Sequence, residues 1–370
     1  MRVCFYNVTA TYLSGGLETY CWEAGRALAR RGHAVTIVAG NRGLARHNEV
    51  ELVQFPFRAE KEWLDLGVRF RRLAERLSFA RHALPHLLGS RYDAIIINKP
   101  FDFPVLWCAR RQGLRSQTLF RSGGADFFPA DRWFAGAVTH WVSASSYNAR
   151  QVGARYGRTV SVIHNGVDTG TFLPQARDTA FRVGLGAGPG DTLLVSVGRL
   201  VGWKGTRVVI EALAGLAGNI HYVVVGDGPE RSALESLANR LGVSQRVHFS
   251  GAMAHGSLPQ LLSNCDVFVQ PSLGEEAFGI SVVEAMACAL PVLASDNGGL
   301  PEIVVEGQTG RLLPPGDIAA WSAAIAGLCA DRDTLERMGR LARARAESDF
   351  TWAANAARLE SILAPGGGIA

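Results

Sequence analysis

The sequence predicts an α/β protein with two doubly wound parallel sheets. Short apolar runs rich in Val, Ile and Leu alternate with helical patterns, which is typical of strands joined by crossover helices. The alternation stops over residues 165–191, a stretch rich in Gly, Pro, Thr and Asp, and it restarts at Thr192. With 370 residues and a 48% hydrophobic composition, the chain is long enough to form two separate cores.

The first half of the chain carries the first set of elements. Predicted strands cover residues 2–8, 34–39, 50–55, 93–98, 116–120, 139–144 and 160–164, and predicted helices cover residues 17–31, 59–88 and 145–156. These elements define a first domain over residues 1–165. The stretch that follows has the composition of an interdomain hinge.

The second half repeats the pattern in a domain predicted over residues 166–349. Its strands are expected at residues 192–198, 223–226, 247–250, 267–270 and 292–295, with a short apolar helix at 280–288. The remaining residues, 350–370, contain a helical pattern that ends at Leu363.

Charge is divided unevenly between the halves. Residues 1–172 hold 23 Lys and Arg against 13 Asp and Glu, and residues 173–370 hold 15 against 20. This asymmetry predicts that the first domain meets an anionic partner. Nucleic acid is disfavoured as that partner, because no recognisable nucleic-acid motif accompanies the charge.

Other features predict a cytoplasmic protein. No apolar segment approaches membrane-spanning length, and the chain opens directly on a predicted strand, so we expect no signal peptide. The six cysteines show no C-x-x-C spacing and lie mostly in apolar runs, which predicts buried thiols and no metal cluster.

The stretch 271–301 carries the strongest functional signal. A buried strand ends before Pro271, a loop with Glu276 follows, and Glu284 lies in the early turns of the next helix. A loop in this position lies at the carboxyl edge of a parallel sheet, where α/β sheets bind ligands. The helix start leaves backbone N–H groups available to hydroxyl or phosphate oxygens, namely those of Phe278, Gly279 and Ile280.

Two more loops carry groups suited to a diphosphate. Arg199 and Lys204 lie five residues apart on one predicted loop and form a cationic pair. In the first domain, the segment Ser14-Gly15-Gly16 opens a helix, where the glycines permit close backbone approach and the first N–H groups are free. The chain has no G-x-G-x-x-G segment, so a dinucleotide-dependent dehydrogenase is disfavoured.

At these residues the chain resembles the family 4 glycosyltransferases. Glu276-Ala-Phe-Gly and Glu284-Ala-Met-Ala are similar to the E-x7-E signature of the family. Gly198-Arg-Leu followed by Lys204-Gly matches the G-R-L-x-x-x-K-G element, and Gly226-Asp-Gly-Pro resembles the G-x-G-P turn near the nucleotide base. His164-Asn-Gly-Val-Asp resembles the hinge element, so the matches run in the expected order along nearly the whole chain.

The resemblance implies the GT-B fold, in which two Rossmann-like domains face a central cleft. It also implies that the C-terminal helix crosses back to the first domain. The implied reaction is a metal-independent, retaining transfer of a hexose-type sugar to an acceptor hydroxyl. The donor is a nucleoside diphosphate sugar, linked to UDP or GDP with ADP left open, and no cofactor is implied.

The resemblance also assigns roles. Arg199, Lys204 and Glu276 are the predicted catalytic residues: the cations stabilise the leaving diphosphate and the carboxylate holds sugar hydroxyls. Glu284 is expected to hold the ribose hydroxyls. The predicted donor-binding residues are Gly15, Gly16, Gly226, Gly228, Phe278, Gly279, Ile280 and Glu284.

The first domain departs from the family at two loops. Many members carry a His after the strand that corresponds to 116–120, whereas Ser122 and Gly123 stand here. We expect Lys99, Arg121 and Asp126, which lie on these loops, to contact the acceptor or the sugar. The resemblance implies attack from the same face, in which the departing phosphate accepts the proton of the acceptor hydroxyl. No protein base is then required, which fits the missing His.

Three alternatives stay open. A sugar-nucleotide 2-epimerase of the same fold would need an acid–base set that the sequence does not identify. Enzymes similar to glycogen or starch synthase usually have longer chains. A non-catalytic sugar-nucleotide-binding protein is disfavoured by the intact catalytic set.

Asp331-Arg-Asp333 has the D-x-D spacing of a metal site, but its place before a helical pattern predicts a helix cap instead.

The predicted helix 59–88 interleaves basic and apolar residues. This pattern indicates either a peripheral contact with an anionic membrane, at its inner face, or a helix that packs on its own domain or lines the acceptor cleft. The basic residues in and beside it are Arg58, Lys61, Arg69, Arg71, Arg72, Arg76 and Arg81.

Overall fold

A computed structural model describes residues 1–13, 15–124 and 126–364. The chain divides into two compact units. The first unit comprises Met1–Gly166 and the helix that begins at Trp352, and the second comprises Val167–Thr351. The first division point, between residues 166 and 167, falls within the stretch rich in Gly, Pro, Thr and Asp.

The first unit is a parallel sheet with crossover helices. Its strands are β1 (Arg2–Tyr6), β2 (Ala34–Gly40), β3 (Glu51–Phe55), β4 (Ala94–Ile97), β5 (Gln117–Ser122), β6 (His140–Ser143) and β7 (Ser161–Val162). Its helices are α1 (Gly16–Arg30), α2 (Val68–Gly89), α3 (Phe103–Arg111), α4 (Asp131–Phe134), α5 (Ser146–Tyr156) and the C-terminal α13 (Trp352–Leu363).

The second unit repeats this architecture. Its strands are β8 (Thr192–Val197), β9 (Ile220–Val225), β10 (Val247–Gly251), β11 (Val267–Gln270), β12 (Val292–Ser295) and β13 (Gly310–Leu313). Its helices are α6 (Thr179–Gly184), α7 (Thr206–Leu213), α8 (Arg231–Arg240), α9 (Leu258–Ser263), α10 (Ile280–Ala287), α11 (Ile318–Cys329) and α12 (Arg332–Asp349).

Both sheets have the doubly wound strand order. The first is ordered β3-β2-β1-β4-β5-β6-β7 and the second β10-β9-β8-β11-β12-β13, and each pair of strands in the described residues is parallel. The order reverses direction beside β1 and beside β8, which are the switch points where such sheets bind ligands. The predicted fold class, with two Rossmann-like domains, is confirmed.

Buried clusters of the described residues form much of the cores. One lies on each face of the first sheet, and another in the second unit packs α7, α8 and α11 against β8 and β9. The inner strands β1, β2, β4, β9 and β11 are buried along nearly their whole length, because helices cover both faces of a parallel sheet.

Helix α13 completes the core of the first unit, which confirms that it returns to that domain. The Trp352 ring lies 6.0 Å from the Tyr20 ring on α1, and Leu359 and Leu363 are fully buried. At the surface, Arg31 Nη2 and Glu360 Oε2 are 2.5 Å apart, and Asn355 Nδ2 donates to the His164 carbonyl at 2.7 Å.

The predicted helix 59–88 is wrong in its first third. A 3₁₀ turn covers Glu60–Glu62, the backbone is extended at Trp63, and α2 begins only at Val68. Gly67 has φ 95°, a left-handed conformation that ends the irregular segment and that glycine adopts readily.

Asp331 caps α12 as predicted, since its side chain accepts from the Thr334 N–H.

Two further structural findings concern composition. All six cysteines are free, and Cys4, Cys21, Cys265 and Cys288 are buried, as the apolar runs around them predict. Across the described residues, none of the helices combines the length and apolar character needed to cross a bilayer.

Glycine permits the closest backbone approach at the carboxyl edge of the second sheet. Gly226 follows β9 with φ 136°, and a Cβ at this position would lie 1.9 Å from the Gly198 carbonyl oxygen that follows β8. The Gly226 N–H in turn donates to the Gly251 carbonyl at 2.8 Å. The ends of three adjacent strands are thus held together by backbone contacts that leave no room for a side chain.

We therefore expect Gly226→Ala to destabilise the second unit. The new methyl group must displace the Gly198 carbonyl and hold a left-handed φ, so the free energy of unfolding should fall by at least about 2 kcal/mol. Gly190→Ala is a matched control, because a Cβ there meets no atom within 4 Å and the backbone is not left-handed. Chemical denaturation of both variants measures the difference, and equal stability would contradict the packing argument.

Candidate functional site

The carboxyl edge of the second sheet brings together loops that are far apart in sequence. Because parallel strands all end on the same side, the segments after β8, β9, β10 and β11 lie along one edge. These segments carry the predicted residues Arg199, Lys204, Gly226, Gly228 and Glu276, and the helix after β11 carries Glu284.

Lys204 and Glu276 form an ion pair at the centre of this edge. Lys204 Nζ lies 2.6 Å from Glu276 Oε2, and the two side chains are only 19% and 14% exposed. The ammonium also lies 4.7 Å from the centre of the Trp203 ring. The attraction between two largely buried charges at this distance is stronger than that between two solvated charges, because water screens it less.

Two buried side chains fix the Glu276 carboxylate. Gln270 Nε2 donates to Glu276 Oε2 at 3.2 Å and to the Ser272 hydroxyl at 2.9 Å. Gln270 is 3% exposed and Ser272 is fully buried, so water cannot take the place of Glu276 as a hydrogen-bond partner of either side chain. The acid is therefore oriented before any ligand binds.

Arg199 differs from Lys204 in its surroundings. It is exposed, and its guanidinium makes no ion pair with the residues that the structure describes. The backbone around it is nevertheless fixed, since the Leu200 N–H donates to the Asp227 carbonyl at 2.9 Å. The edge thus offers one paired cation and one exposed cation, five residues apart on one loop.

The start of α10 lies as predicted, directly after this loop. Gly279 is the N-cap residue with φ 113°, and Phe278 is buried with its ring 5.8 Å from the Phe350 ring. Ile280 begins the helix, whose first backbone N–H groups have no partner within it.

Glu284, one turn further along α10, is buried and is contacted by an imidazole. Its side chain is 8% exposed, and Glu284 Oε1 lies 2.7 Å from His255 Nε2. His255 begins a 3₁₀ turn, His255–Ser257, in the segment that follows β10.

In the first unit, the glycine pair lies at the start of α1 as predicted. Gly15 is the N-cap residue and Gly16 the first residue of the helix, while Ser14 of the same motif lies outside the described residues. A carboxylate is close by: Glu18 Oε1 lies 2.6 Å from the Thr9 hydroxyl, and the side chain is largely buried.

Lys99 and Asp126 also meet, together with a residue from α2. Asp126 Oδ2 lies 3.0 Å from Lys99 Nζ and 2.8 Å from Arg72 Nη1. Burial opposes ionisation of Asp126, but the charges of Lys99 and Arg72 hold the pKa of this carboxyl below its usual range. Burial lowers the pKa of Lys99, and the Asp126 carboxylate opposes that shift. The neighbouring Ala125 lies outside the described residues.

Arg121 lies in a different environment from the other predicted acceptor residues. Its side chain is 2% exposed, its guanidinium lies 4.0 Å from the Tyr20 ring centre, and Nη2 donates to Asn165 Oδ1. The guanidinium therefore joins β5 to α1 and to the end of the first unit, and it faces the protein interior.

Sequence reasoning missed the residues that hold the predicted ones in place. Gln270, Ser272, His255 and Arg72 each contact a predicted site residue. A signal existed for Gln270, because a polar residue closes an otherwise apolar strand. His255 and Glu284 are 29 residues apart and Arg72 and Asp126 are 54 apart, so only the fold reveals those contacts.

Comparison with known proteins supports the resemblance seen in the motifs. The chain is 36% identical over 225 residues to a D-inositol 3-phosphate glycosyltransferase of Nocardia farcinica, covering 57% of this chain and 49% of that protein. It is 33% identical over 233 residues to a GDP-mannose-dependent phosphatidylinositol monomannoside mannosyltransferase of Mycolicibacterium smegmatis, covering 59% of this chain and 60% of that protein. The chain thus spans about half of the length of these relatives.

Solved structures share the fold along the whole chain. The sucrose-phosphate synthase of Thermosynechococcus elongatus aligns over 98% of both chains with a TM-score of 0.84 and 23% identity. The Anabaena protein HepE in complex with UDP-glucose aligns over 98% of this chain and 99% of its own, with a TM-score of 0.82 and 22% identity. At these identities the comparison shows the fold alone.

Two family profiles cover most of the chain. The profile described as "Glycosyltransferase Family 4" matches residues 14–171, and the profile described as "Glycosyl transferases group 1" matches residues 178–345. They match the two sheets in turn, and the second contains the edge that carries Arg199, Lys204 and both acids of the E-x7-E pattern. The chain therefore belongs to the family 4 glycosyltransferases.

Proposed function

We propose that this protein transfers a hexose-type sugar from a nucleoside diphosphate sugar to an acceptor hydroxyl, with retention of the anomeric configuration and without a metal ion. The product belongs to a glycoconjugate, a polysaccharide or a secondary metabolite. One relative named above is a GDP-mannose-dependent mannosyltransferase and the other a D-inositol 3-phosphate glycosyltransferase, which supports this class of reaction.

One observation carries the proposal: a cation and a carboxylate meet at the sheet edge, 2.6 Å apart, beside a second, exposed cation. A sugar diphosphate has the complementary arrangement, with anionic phosphates next to neutral hydroxyls. When the donor binds, Lys204 turns from Glu276 to the phosphates, and Glu276 accepts hydrogen bonds from the sugar hydroxyls. Arg199 supplies the second positive charge.

The chemical step then needs no base from the protein. The bond between the anomeric carbon and the phosphate oxygen breaks, and its electron pair stays on the departing nucleoside diphosphate. The acceptor oxygen forms a bond to the anomeric carbon from the same face, and its proton moves to a departing phosphate oxygen. Lys204 and Arg199 stabilise the negative charge that grows on that phosphate, so they act mainly in the transition state.

The acceptor is proposed to contact the first unit near Lys99 and Asp126. Lys99 and Arg72 both contact Asp126 there, and Arg72 also lies 3.5 Å from Glu60, so the cluster presents cations and carboxylates to a polar acceptor. The names of three relatives mention phosphorylated molecules, namely D-inositol 3-phosphate, phosphatidylinositol monomannoside and maltose-1-phosphate. We therefore favour an acceptor that carries a negative charge. Arg121 is not included in this proposal, because it faces the interior.

The direct test is a panel of UDP-, GDP- and ADP-linked sugars. We expect slow release of nucleoside diphosphate from one of them, accelerated by the right acceptor, with inositol 3-phosphate tested against inositol as a charged and uncharged pair. Release should persist in EDTA, because Arg199 and Lys204 neutralise the leaving group without a cation. Complete loss in EDTA that Mg²⁺ or Mn²⁺ restores would contradict the metal-independent step.

The same panel separates the alternatives. A 2-epimerase would convert the sugar nucleotide to its isomer without any acceptor. A binding protein would shift its unfolding temperature with the nucleotide and release nothing. Net transfer to an acceptor excludes both.

We expect Lys204→Ala and Arg199→Ala to lower turnover more than they weaken donor binding. Each cation contributes most where the phosphate charge is largest, so turnover at saturating donor should fall by about 100-fold. Calorimetry with the nucleoside diphosphate measures binding, and Arg207→Ala serves as the control because Arg207 is exposed and pairs with Glu211 on its own helix. Unchanged turnover in both site variants would remove the leaving-group role.

The first unit also carries a surface proposed for peripheral membrane contact. Loops after β1, β2 and β3 and the start of α2 expose large apolar side chains: Leu13 by 47%, Leu44 by 82%, Leu64 by 77%, Leu66 by 67%, Val68 by 46% and Phe70 by 43%. We call these six residues the apolar patch. Arg46 Nη2 donates to the Leu13 carbonyl at 3.1 Å, and Arg42 Nη2 lies 2.5 Å from Glu62 Oε1, so the loops touch.

The charges around the apolar patch favour an anionic bilayer as its partner. Lys61 and Arg69 flank it, are exposed, and make no ion pair with other described residues. Arg72 and Arg76 do not belong to this surface: Arg72 pairs with Asp126, and Arg76 is buried 2.6 Å from Asp102. Two of the arginines that the sequence pattern suggested for lipid contact therefore form ion pairs within the fold. The proposed membrane surface lies instead on the irregular segment before α2.

Binding to vesicles should therefore depend on Lys61 and Arg69. Each basic residue near an anionic surface contributes about 1 kcal/mol, so the double variant Lys61→Glu, Arg69→Glu should weaken binding at least about tenfold. Leu64→Ser with Leu66→Ser should weaken it at all salt concentrations, whereas the control Val183→Ser, at another exposed apolar residue, should not. Sedimentation with phosphatidylglycerol vesicles and neutral vesicles measures this, and equal, negligible binding of the wild type to both would refute the membrane contact.

A further inference from the structure

His255 is placed to control the second acid of the E-x7-E pattern. Glu284 is almost wholly buried on α10, and the imidazole of His255 reaches it from the segment after β10. Since a carboxylate oxygen can only accept, the imidazole Nε2–H donates to Glu284 Oε1 at 2.7 Å. The contact joins two elements on the same edge as Lys204 and Glu276.

The imidazole is itself held in place. Its ring lies 5.1 Å from the ring of Phe172, which is 2% exposed. Phe172 is fixed in turn, because its N–H donates to the Asp168 carbonyl at 2.7 Å and its carbonyl accepts from Arg343 Nη1 at 2.6 Å. The 3₁₀ turn of His255 continues directly into α9, where Pro259 is in the first turn. The His255 side chain is 42% exposed, and its contact with the fixed Phe172 ring directs the imidazole toward Glu284.

A carboxylate has lone pairs enough for several donors. With Oε1 engaged by His255, Oε2 and the remaining lone pairs of Glu284 can accept from a pair of adjacent hydroxyls. A vicinal diol recognised in this way requires a fixed carboxylate plane, because both hydrogen bonds depend on its orientation.

We propose that His255 is a positioning residue that orients Glu284 and thereby makes the donor site selective for ribose over 2′-deoxyribose. This rests on the proposed function and on the expectation, given with the family resemblance, that Glu284 holds the ribose hydroxyls of the donor. When the 2′-hydroxyl is absent, one acceptor of the oriented carboxylate stays unpaired, and buried unpaired acceptors are destabilising.

The test compares ribose and deoxyribose nucleotides by calorimetry. The probes are UDP, GDP and their 2′-deoxy counterparts, titrated into the wild type, His255→Ala and His255→Gln. In His255→Ala, affinity for the ribonucleotide should fall about tenfold while affinity for the deoxynucleotide changes little, so the preference collapses. His255→Gln should retain part of the preference, because the amide can still donate to Glu284.

Two controls isolate the contact. Ser257→Ala lies on the same 3₁₀ turn with an exposed side chain, and it should bind like the wild type. In a Glu284→Ala background, His255→Ala should cause no further loss, since the two residues act through one hydrogen bond.

The outcomes separate this inference from the proposed function. A wild type that binds none of the four nucleotides overturns both. A wild type that binds, with His255→Ala showing an unchanged preference or an equal loss for both sugars, overturns only the role of His255. Tighter binding by His255→Ala also overturns it, because the imidazole would then compete with the ribose for Glu284.

Discussion

Parallel strand pairing is the constraint on which the rest of the molecule depends. A parallel pair cannot close with a short hairpin, so every strand must be followed by a crossover that returns the chain to the opposite edge. The segments that follow the strands of one sheet are therefore gathered at one edge, whatever their separation in sequence. Arg199, His255 and Glu276 lie along one edge for this reason. The close approach of β8, β9 and β10 at Gly198, Gly226 and Gly251 then fixes how near these segments come.

At that edge, the charges of Lys204 and Glu276 compensate each other in a place that water reaches poorly. Lys204 and Glu276 are each largely buried, and either one alone would carry a large desolvation penalty. Together, and with Gln270 as a fixed donor, each compensates the charge of the other. The ion pair therefore holds both side chains at the edge in a fixed geometry.

The sequence predicted the strands of the first unit more completely than those of the second, where β13 was not predicted and β9 begins three residues before its predicted start. Strands β11 and β12 have the predicted bounds, because each is an apolar run closed by Pro or Asp. The helix predicted from Ala59 failed over residues 63–67, since helical spacing of apolar residues does not reveal that Gly67 is left-handed. The loop motifs located Lys204 and Glu276 but not their contact, because a distance between side chains depends on strand order. Arg121 shows the opposite limit: it was predicted on the loop after the strand 116–120, yet it lies within β5, and its direction, into the Tyr20 ring, depends on packing.

The return of α13 to the first unit determines the order in which the protein can fold. Trp352, Ala356, Leu359 and Leu363 fill the same cluster as residues of α1, so the core of the first unit contains residues from both ends of the described chain. The second unit, in contrast, is made of one continuous segment whose two ends adjoin, with the Val167 N–H donating to the Phe350 carbonyl at 2.9 Å. During synthesis the second unit is complete before α13 leaves the ribosome. The first unit, although it begins first, must wait with an uncovered apolar face until the second has been made.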